Sequence, residues 1–404
     1  MSSSSSPASP QPTRDLDYYR ALYEEAKAVR GVSLGQDAWR RLRKNRTAMF
    51  SLCYLIVLVL LAFLTPALPL QSPKLQEVRK RQFLGPTWEA YRLESEDHNK
   101  QRRTLTELLA EYRTAVRKVQ QATIISDVPT VQPTHPYTLF WHKPGPLTRL
   151  LIDVRVAIFG DWCIPSVCGT DMLGRDLLSR IFWGARVSLT VGFVAASVSL
   201  MIGVSYGATA GYVGGWIDSA MMRFVDTLYS IPFLFVVIFI ITILGEPATK
   251  FYLESIGIDR ITIFYLLIGA IYWLTMARVV RGQVVSLKNE QYIDAARTLG
   301  VSTSRMIFRH LVPNVMGVVI VYLTLTIPSV MLFEAMLSYL GLGVQAPDVS
   351  WGMLVDEGTK VITSIKTFWW LVAFPSIALA STLFALNFLG DGLRDALDPR
   401  LKNR

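Results

Sequence analysis

Six long runs without a single Asp, Glu, Lys or Arg constrain this 404-residue chain more than any other feature. They cover residues 47–73, 187–217, 227–245, 261–277, 311–333 and 367–390. A bilayer core about 30 Å thick needs about 20 helical residues to cross it. One short run, such as the fourth, is also compatible with a helix buried in a soluble core. Six runs in one chain predict an all-α, polytopic membrane protein with six transmembrane helices.

The composition agrees with a membrane protein and argues against an ordinary soluble enzyme. Charged residues make up 18% of the chain, whereas about 25% is usual in soluble domains. The net charge is +10. In a membrane protein, such an excess of Lys and Arg usually marks cytoplasmic loops and contacts with lipid headgroups. We therefore expect the lipid bilayer as a partner and no nucleic acid.

Basic residues predict the orientation of the chain. Those before the first run are Arg40, Arg41, Arg43, Lys44 and Arg46. Because cytoplasmic flanks of membrane helices are enriched in Lys and Arg, the N-terminus is predicted to be cytoplasmic. Six crossings return the C-terminus to the same side, where the tail carries Arg394, Arg400, Lys402 and Arg404. The loop after the first run is also basic, but loops longer than about 60 residues largely escape this rule.

The runs divide the chain into predicted parts. They are a cytoplasmic N-terminal tail (residues 1–46, with 1–13 disordered), the first transmembrane helix (47–70), a long external insertion between the first and second membrane helices (71–168), a core with five transmembrane helices (169–401) and a short tail (402–404). The first run is not a cleavable signal peptide, because it starts too far into the chain and is too long.

An amphipathic helix is predicted within the external insertion. Apolar residues recur there at spacings of four and three, at Leu105, Leu109, Tyr112, Val116 and Val119. Such a stripe has to pack against another surface. That surface is either the rest of the insertion or a partner protein.

Two cysteines, Cys163 and Cys168, also lie in the insertion, and a third, Cys53, lies in the first run. Thiols outside the cytoplasm can oxidise. A disulfide between Cys163 and Cys168 and two free thiols are both compatible with the sequence.

The cytoplasmic loop of residues 286–313 has the pattern of two helices joined at a glycine corner. Helical spacing relates Tyr292, Ala295, Ala296 and Leu299. Gly300 stands where a helix C-cap favours a residue without Cβ. A second apolar face is predicted from Met306, Ile307 and Leu311. Pro313 either ends this second helix or begins the membrane segment. The two alanines would let another surface approach closely; the alternative is a helix that only packs on the membrane.

Two glycine-led acidic corners precede the second membrane helix. They comprise Gly169, Thr170, Asp171, Gly174, Arg175 and Asp176. Two aspartates without a histidine make a weak metal site, so no metal is expected. The favoured interpretation is a turn followed by an amphipathic helix. Asp171 would cap this helix, and Arg175, Asp176 and Arg180 would form ion pairs.

One acidic residue, Glu334, follows directly after the fifth run, at its predicted outer end. An acid at membrane depth is a functional candidate, which would line a pathway or contact a partner subunit. Alternatively, Glu334 lies at the level of the headgroups and is hydrated.

No motif for ATP hydrolysis or familiar hydrolytic chemistry occurs in the sequence. The phosphate-binding pattern GxxxxGK[ST] is missing, as are GxSxG and HExxH. We therefore expect no catalytic, cofactor-binding or metal-binding residues, and an energy source on another subunit.

The cytoplasmic loop resembles the EAA loop of ABC importer permeases. The resemblance rests on Asp294-Ala295-Ala296, Gly300 and Pro313, and Glu290 stands at the start of the corresponding segment. Asp294 occupies a position where Glu is usual. The corners at residues 169–176, the segment 337–352 and the tail 390–401 are similar to the dipeptide/oligopeptide (and nickel) transport subfamily, in its C-type subunit.

The resemblance implies the type I ABC importer permease fold in a plasma (inner) membrane. In that family the loop is a coupling helix that docks in a cleft on the ATP-hydrolysing subunit. Implied partners are a second homologous permease subunit, one or two ABC ATPase subunits and an external solute-binding protein. A short peptide is the favoured solute, with nickel, glutathione or an oligosaccharide as alternatives.

Two other function classes are compatible with parts of the sequence. An ion-coupled secondary transporter usually has paired ionisable groups or broken helices near the membrane midplane, whereas these six runs are uncharged. A membrane receptor or scaffold with an external ligand-binding segment would fit the length of residues 74–160.

Overall fold

The structure is a computed structural model that describes residues 34–89, 91–92, 94–96, 102–125, 136–140, 144–246, 249, 253, 255, 260–346, 348–363 and 366–397. The predicted disorder of residues 1–13 lies outside the described residues. So do the three basic residues Arg400, Lys402 and Arg404 at the end of the tail.

Most of the described chain is helical. In chain order the helices are α1 (Leu34–Leu42), α2 (Arg46–Leu64), α3 (Val78–Arg81), α4 (Leu105–Ile125), α5 (Pro146–Phe159), α6 (Leu177–Val198), α7 (Val204–Val213), α8 (Gly215–Ser230), α9 (Phe233–Gly245), α10 (Arg260–Leu287), α11 (Gln291–Thr298), α12 (Thr303–Arg305), α13 (Val312–Tyr339), α14 (Trp351–Lys360) and α15 (Trp370–Leu397). Turns of 3₁₀-helix cover Thr65–Ala67 and Pro136–Leu139, and turns of π-helix cover Ser199–Gly203 and Met306–Leu311.

Short strands accompany the helices between α2 and α6. They are β1 (Tyr91–Arg92), β2 (Glu94–Glu96), β3 (Arg102–Thr104) and β4 (Trp162–Cys163). β1 pairs antiparallel with β4, and β2 pairs antiparallel with β3. The prediction of a mainly helical chain is confirmed, with these two small strand pairs as an addition.

Four helical stretches of the described chain are long and apolar enough to cross a membrane. They are Arg46–Ala67, Leu177–Val213, Thr303–Tyr339 and Trp370–Leu397. A fifth crossing results if the bent pair Gly215–Ser230 and Phe233–Ile240 is counted as one span. A polytopic membrane protein is therefore confirmed, with four or five spans by this measure.

The third apolar run is not one straight helix, so the prediction of a single helix there is wrong. α8 and α9 meet at an angle of 76°. Ile231, between them, has an extended backbone with ψ of 121°. The ring of Pro232 explains this conformation, because a proline disfavours the α-helical region for the residue before it.

α10 contains the fourth apolar run and continues beyond it. The helix has 28 residues, or about 42 Å at 1.5 Å per residue. It packs against a row of glycines in the helical stretch Leu177–Val213, formed by Gly203, Gly207 and Gly211. A Cβ on Gly203 would lie 2.6 Å from the Cβ of Met276. Small residues in such rows allow the close helix contacts that are typical of membrane proteins.

Contacts between helix ends define two sides of the protein. α6 begins beside the end of the first span, where the Thr65 hydroxyl lies 3.4 Å from the Phe182 carbonyl oxygen. We call this side the segment side, because the described residues between 71 and 168 lie there. α7 ends at the opposite side, where the Lys288 ammonium donates to the Gly211 carbonyl at 3.3 Å. We call that side the loop side, because α11 follows there.

Both described ends of the chain lie on the loop side. α2 begins there, and Leu42 and Ala48 share an apolar cluster with Ala396 near the end of α15. This arrangement requires an even number of crossings between α2 and the end of α15.

Within residues 71–168, α4 packs mainly on the rest of this segment. Leu105 and Leu109 are buried in a cluster with Tyr137, Phe140, Ile152, Cys163 and Trp183. The interpretation that the stripe is covered within its own segment therefore holds for its first two residues. Tyr112 and Val116 are half-buried, and the side chain of Val119 lies outside the described residues.

Candidate functional site

The candidate site is α11 and the corner after it, on the loop side of the protein. Ile293 and Ala296 face inward from α11. They join an apolar cluster built by α7, α10 and the start of α13, which includes Val280, Val284 and Leu311. Two inward residues at a spacing of three hold this short helix firmly against the ends of the longer helices.

The corner after α11 is a left-handed helix cap. Gly300 has a φ of +75°. The N–H groups of Gly300 and Val301 donate to the carbonyls of Arg297 at 3.0 Å and of Ala296 at 3.2 Å. These two bonds form a Schellman motif. Since no atom lies within 4 Å of a Cβ placed on Gly300, the backbone conformation, and not crowding, favours glycine here.

The outer face of α11 is exposed in the described chain, and the Asn314 side-chain amide donates to the Tyr292 hydroxyl at its edge, at 3.2 Å. Leu299 is 83% exposed and Tyr292 is 41% exposed, and Ala295 between them is also exposed. The predicted stripe therefore divides: Ala296 turns inward with Ile293, and the other three residues turn outward. An exposed leucine and tyrosine on a rigid helix suit contact with a protein surface.

The polar residues of the loop lie at its surface. Glu290 precedes α11 and makes no side-chain cap. The carboxylate of Asp294 accepts from the Arg297 guanidinium at 3.1 Å, and both side chains are more than half exposed. Such an exposed pair contributes little to stability. Both acids are therefore accessible to a partner.

Pro313 lies in the first turn of α13 and does not end the preceding helix. Residues Thr303–Tyr339 form one helical stretch, with a π-helical turn over Met306–Leu311 just before the proline. Met306, Ile307 and Leu311 are buried, as their spacing predicts. The loop thus continues without a break into a membrane span.

The glycine-led corners form a compact turn on the segment side. Gly169 and Gly174 have φ values of +80° and +74°. The hydroxyl oxygen of Thr170 accepts a hydrogen bond from the Leu84 N–H at 2.9 Å. The corners therefore connect the chain after the first span to the start of α6.

The prediction that Asp171 caps α6 is wrong, because Asp176 is the cap. A carboxylate oxygen of Asp176 accepts from the Ser179 N–H at 2.7 Å. Burial raises the pKa of Asp176 to about 6. Asp171 instead accepts from the N–H groups of Leu173 and Arg175, at 2.8 and 2.9 Å, and so closes the turn.

Asp171 also belongs to a buried ion-pair network that reaches α14. Its carboxylate accepts from Arg175 at 2.6 Å and from Arg180 at 2.7 Å. Both arginines also pair with Glu357 of α14. Burial alone would raise the pKa of Glu357, but the two guanidinium groups outweigh it and the pKa is lowered. The predicted ion pairs of Arg175 and Arg180 exist, with Glu357 in place of Asp176.

Glu334 is fully buried inside the chain, so the alternative of a hydrated position among the headgroups is wrong. Its contact with a pathway or a partner subunit stays a prediction. Its carboxylate accepts from the Ser338 hydroxyl at 2.7 Å, and the Ser188 hydroxyl lies 3.5 Å away. Ser188 in turn accepts from the Trp351 N–H at 3.2 Å. Glu334 therefore links α6, α13 and α14.

Of the two alternatives for Cys163 and Cys168, a disulfide or two free thiols, the structure has two free thiols. Cys163 packs in the cluster around α4 and α5, 3.1 Å from the Arg155 guanidinium. Cys168 packs in a different cluster with residues of α6, α14 and α15. The fold of the turn between them separates the two side chains.

Among the described residues, no group of three His, Cys, Asp or Glu could hold a metal ion. Sequence reasoning missed Ile293, Glu357 and the glycine row at residues 203–211. A spacing of four between glycines in an apolar run was the available signal for the row. Nothing local marks Glu357, because its partners are distant in the sequence.

Comparisons with known proteins match both ends of this fold. The family model "Binding-protein-dependent transport system inner membrane component" matches residues 177–403. A second model, "N-terminal TM domain of oligopeptide transport permease C", matches residues 33–86.

Curated relatives extend the match to nearly the whole chain. The dipeptide transport system permease protein of Bacillus subtilis is 37% identical over 94% of this chain and 90% of its own length. The oligopeptide transport system permease protein of Escherichia coli is 43% identical over 65% of this chain and 89% of its own length. The dipeptide transport system permease protein of Lactococcus lactis is 32% identical, over 93% of both chains.

Proposed function

Because this chain belongs to the family of inner membrane components of binding-protein-dependent transport systems, we propose that it imports short peptides as one of two permease subunits. It is a multi-pass membrane permease subunit of an ABC importer. The peptide solute is inferred from the names of its relatives, which are dipeptide and oligopeptide permeases. Dipeptides and longer peptides are both compatible with those names.

The observation that carries the proposal is the rigid loop-side helix α11 with its outward face. Ile293 and Ala296 anchor the helix, the Gly300 cap ends it, and Leu299 and Tyr292 remain exposed. We propose that this face, with Glu290, Asp294 and Ala295, docks on an ATPase subunit. Since Pro313 continues the loop into α13, movement of the ATPase would be transmitted directly to a membrane span.

The proposed topology has six crossings, with both ends of the chain in the cytoplasm. Four long spans and the bent pair of α8 and α9 make five crossings. α10 supplies the sixth: it is 28 residues long and packs closely on the glycine row of α6 and α7. The basic residues before α2 and those around α11 lie on the loop side, which the charge rule assigns to the cytoplasm. Residues 71–168 are then the long external insertion.

The family implies ATPase and solute-binding partners. We propose a second homologous permease, one or two ABC ATPase subunits and an external solute-binding protein. ATP binding and hydrolysis would take place on the ATPase subunits. Their closure would rock the permease helices between inward-facing and outward-facing states, as rigid bodies.

The test compares serine substitutions at leucine and isoleucine positions. In Leu299→Ser, the membrane level and thermal stability should be unchanged, because the side chain packs on nothing in the described chain. If docking buries Leu299, its loss weakens ATPase binding by about 2 kcal/mol, or roughly thirtyfold. Co-purification of the ATPase and peptide uptake in intact cells measure both effects.

Two controls make the result specific. Leu340→Ser removes a half-exposed leucine on the segment side and should leave ATPase recovery unchanged. Ile293→Ser should lower thermal stability, because Ile293 is fully buried. Full ATPase recovery and uptake in Leu299→Ser would refute the docking face. In the unsubstituted protein, normal ATPase recovery without any uptake of peptides would refute the proposed solute.

A further inference from the structure

α5 carries an apolar face that the described part of the chain leaves exposed. Leu147, Leu150, Val154 and Ile158 lie on one face, at spacings of three, four and four. Leu150 is 58% exposed and Ile158 is 67% exposed. An apolar stripe of this kind on a helix needs a surface to cover it.

The polar groups of α5 point away from this stripe. Arg155 is fully buried on the inner face, and its guanidinium donates to the Leu70 carbonyl at 3.0 Å. Asp153 accepts from Arg113 of α4 at 3.1 Å and from the Tyr137 hydroxyl. Arg149 donates to the Pro144 carbonyl at 2.9 Å. These polar side chains of α5 therefore bond within the protein, and the exposed stripe of the helix is apolar.

α5 is held at the level of the membrane boundary. It packs against Thr65–Ala67, the last turn of the first span. Its buried residue Ile152 shares a cluster with Trp183 of α6. Trp183 lies six residues into α6, or about 9 Å below its start. A helix that packs on both the turn Thr65–Ala67 and Trp183 lies at the bilayer surface and not above it.

The surfaces next to α5 are also apolar. The neighbouring span α2 exposes Ile56, Leu60 and Phe63. At the end of α5, the rings of Phe159 and Trp162 lie 6.3 Å apart, and both are partly exposed. Tryptophan is enriched at membrane–water interfaces. The stripe thus lies on a helix that packs at the end of a span with exposed apolar side chains of its own.

We infer that α5 is an interfacial helix whose stripe of Leu147, Leu150, Val154 and Ile158 lies in the lipid leaflet on the segment side. Helices of this type lie in the plane of the interface with the apolar face about 5–10 Å deep. α5 thereby anchors segment 71–168 on the bilayer, beside the point where the first span ends and α6 begins. The inference depends on the membrane spans and not on the solute.

The experiment measures lipid exposure by spin labelling in the complete complex, reconstituted in vesicles of phosphatidylethanolamine and phosphatidylglycerol. Cys53, which is exposed on α2, is first replaced by serine; Cys163 and Cys168 are buried and do not compete for the label. Single cysteines are then introduced as Leu150→Cys and Ile158→Cys. Each nitroxide is tested for collisions with oxygen, which enters lipid, and with a water-soluble nickel chelate.

Two reference positions calibrate the measurement. Arg149→Cys lies on the polar flank of the same helix, and Phe63→Cys lies on the exposed surface of the first span. We expect oxygen-to-nickel collision ratios at 150 and 158 that match residue 63 and exceed that at 149 severalfold. Ratios equal to residue 149 would place the stripe in water. Protection from both reagents would place it against a protein subunit. Either outcome overturns the inference.

Discussion

Glycine has two different physical purposes in this chain. Gly300 adopts a φ of +75° in open space, so only its backbone conformation matters. Gly207 has an ordinary helical backbone, but a Cβ there would fall on the carbonyl oxygen of Ala277. The first glycine shapes the corner after α11, and the second brings two helices together.

The role of Gly300 can be isolated with alanine. In Gly300→Ala, the added Cβ meets no atom, but the left-handed backbone costs about 1–2 kcal/mol. We expect normal membrane levels with peptide uptake lowered roughly fivefold or more, because the corner after α11 relaxes. Gly282→Ala is the matched control: its Cβ also meets nothing, and its helical backbone suits alanine. Equal uptake by the two variants would contradict this role for the corner.

Asp176 predicts a pH dependence of stability on the segment side. Its pKa rises from 3.8 to about 6 on folding, chiefly through burial. The folded protein therefore binds the Asp176 proton more tightly than the unfolded chain does. Proton binding stabilises the folded state at low pH, and this contribution to the free energy of unfolding is lost as the pH rises through about 6. The shift corresponds to about 3 kcal/mol. Asp176→Asn keeps a capping oxygen without the charge.

Thermal unfolding of the purified complex between pH 4 and 7 measures the difference. The stability of the wild type relative to Asp176→Asn should fall across this range and level off above about pH 7. A difference that does not change with pH would show that Asp176 does not titrate in the fold.

At the scale of elements, two devices position the helices. On the segment side, the pairs between Arg180, Asp171 and Glu357 connect the start of α6 to α14. Across the membrane, the glycine row of α6 and α7 packs on α10. Ion pairs thus hold the helices together at the segment side, and close packing holds them together within the spans.

Enlarging one glycine of the row should disturb the packing of α7 on α10. Gly207→Ala forces the new Cβ against the Ala277 carbonyl, and such overpacking costs about 1–3 kcal/mol. We expect a lower unfolding temperature of the detergent-solubilised complex. Gly317→Ala in α13 adds the same methyl group to open space. A Gly207→Ala variant as stable as Gly317→Ala would contradict the close contact.

The whole molecule has two distinct sides. The described residues between 71 and 168 lie with α14 at one side, and α11 with both described chain ends lies at the other. The two family models leave residues 87–176 outside both matches. Neither family model therefore covers most of segment 71–168.

The proposed orientation of the whole molecule can be tested with two equally exposed cysteines. Trp88→Cys lies in segment 71–168 and Leu299→Cys lies after α11, at positions that are 84% and 83% exposed. A membrane-impermeant thiol reagent applied to intact cells should label residue 88 alone. In cells that make this chain without its ATPase subunits, label at residue 299 should appear only after the membrane is opened. The reverse pattern would place α11 outside and remove the basis for ATPase docking.

Local residue patterns alone determined much of the fold and part of the site. The length of each uncharged run predicts a spanning helix because the bilayer sets a minimum length. The corner at Gly300 follows from the left-handed conformation that only glycine adopts at low cost. The spacing of Met306, Ile307 and Leu311 likewise predicts their buried face. Each of these properties depends on a few neighbouring residues.

Other features were decided only by the tertiary structure. The sequence offers both Ala295 and Ala296 as contact residues, and packing against α10 turns Ala296 inward. The sequence analysis assigns the helix cap to Asp171 and an ion pair to Asp176. The structure exchanges these roles, because Arg180 pairs with Asp171 and with Glu357, 177 positions away. Glu334 becomes an internal link because α6, α13 and α14 surround it. Such contacts depend on how distant helices pack, and that information is not contained in any short stretch of the chain.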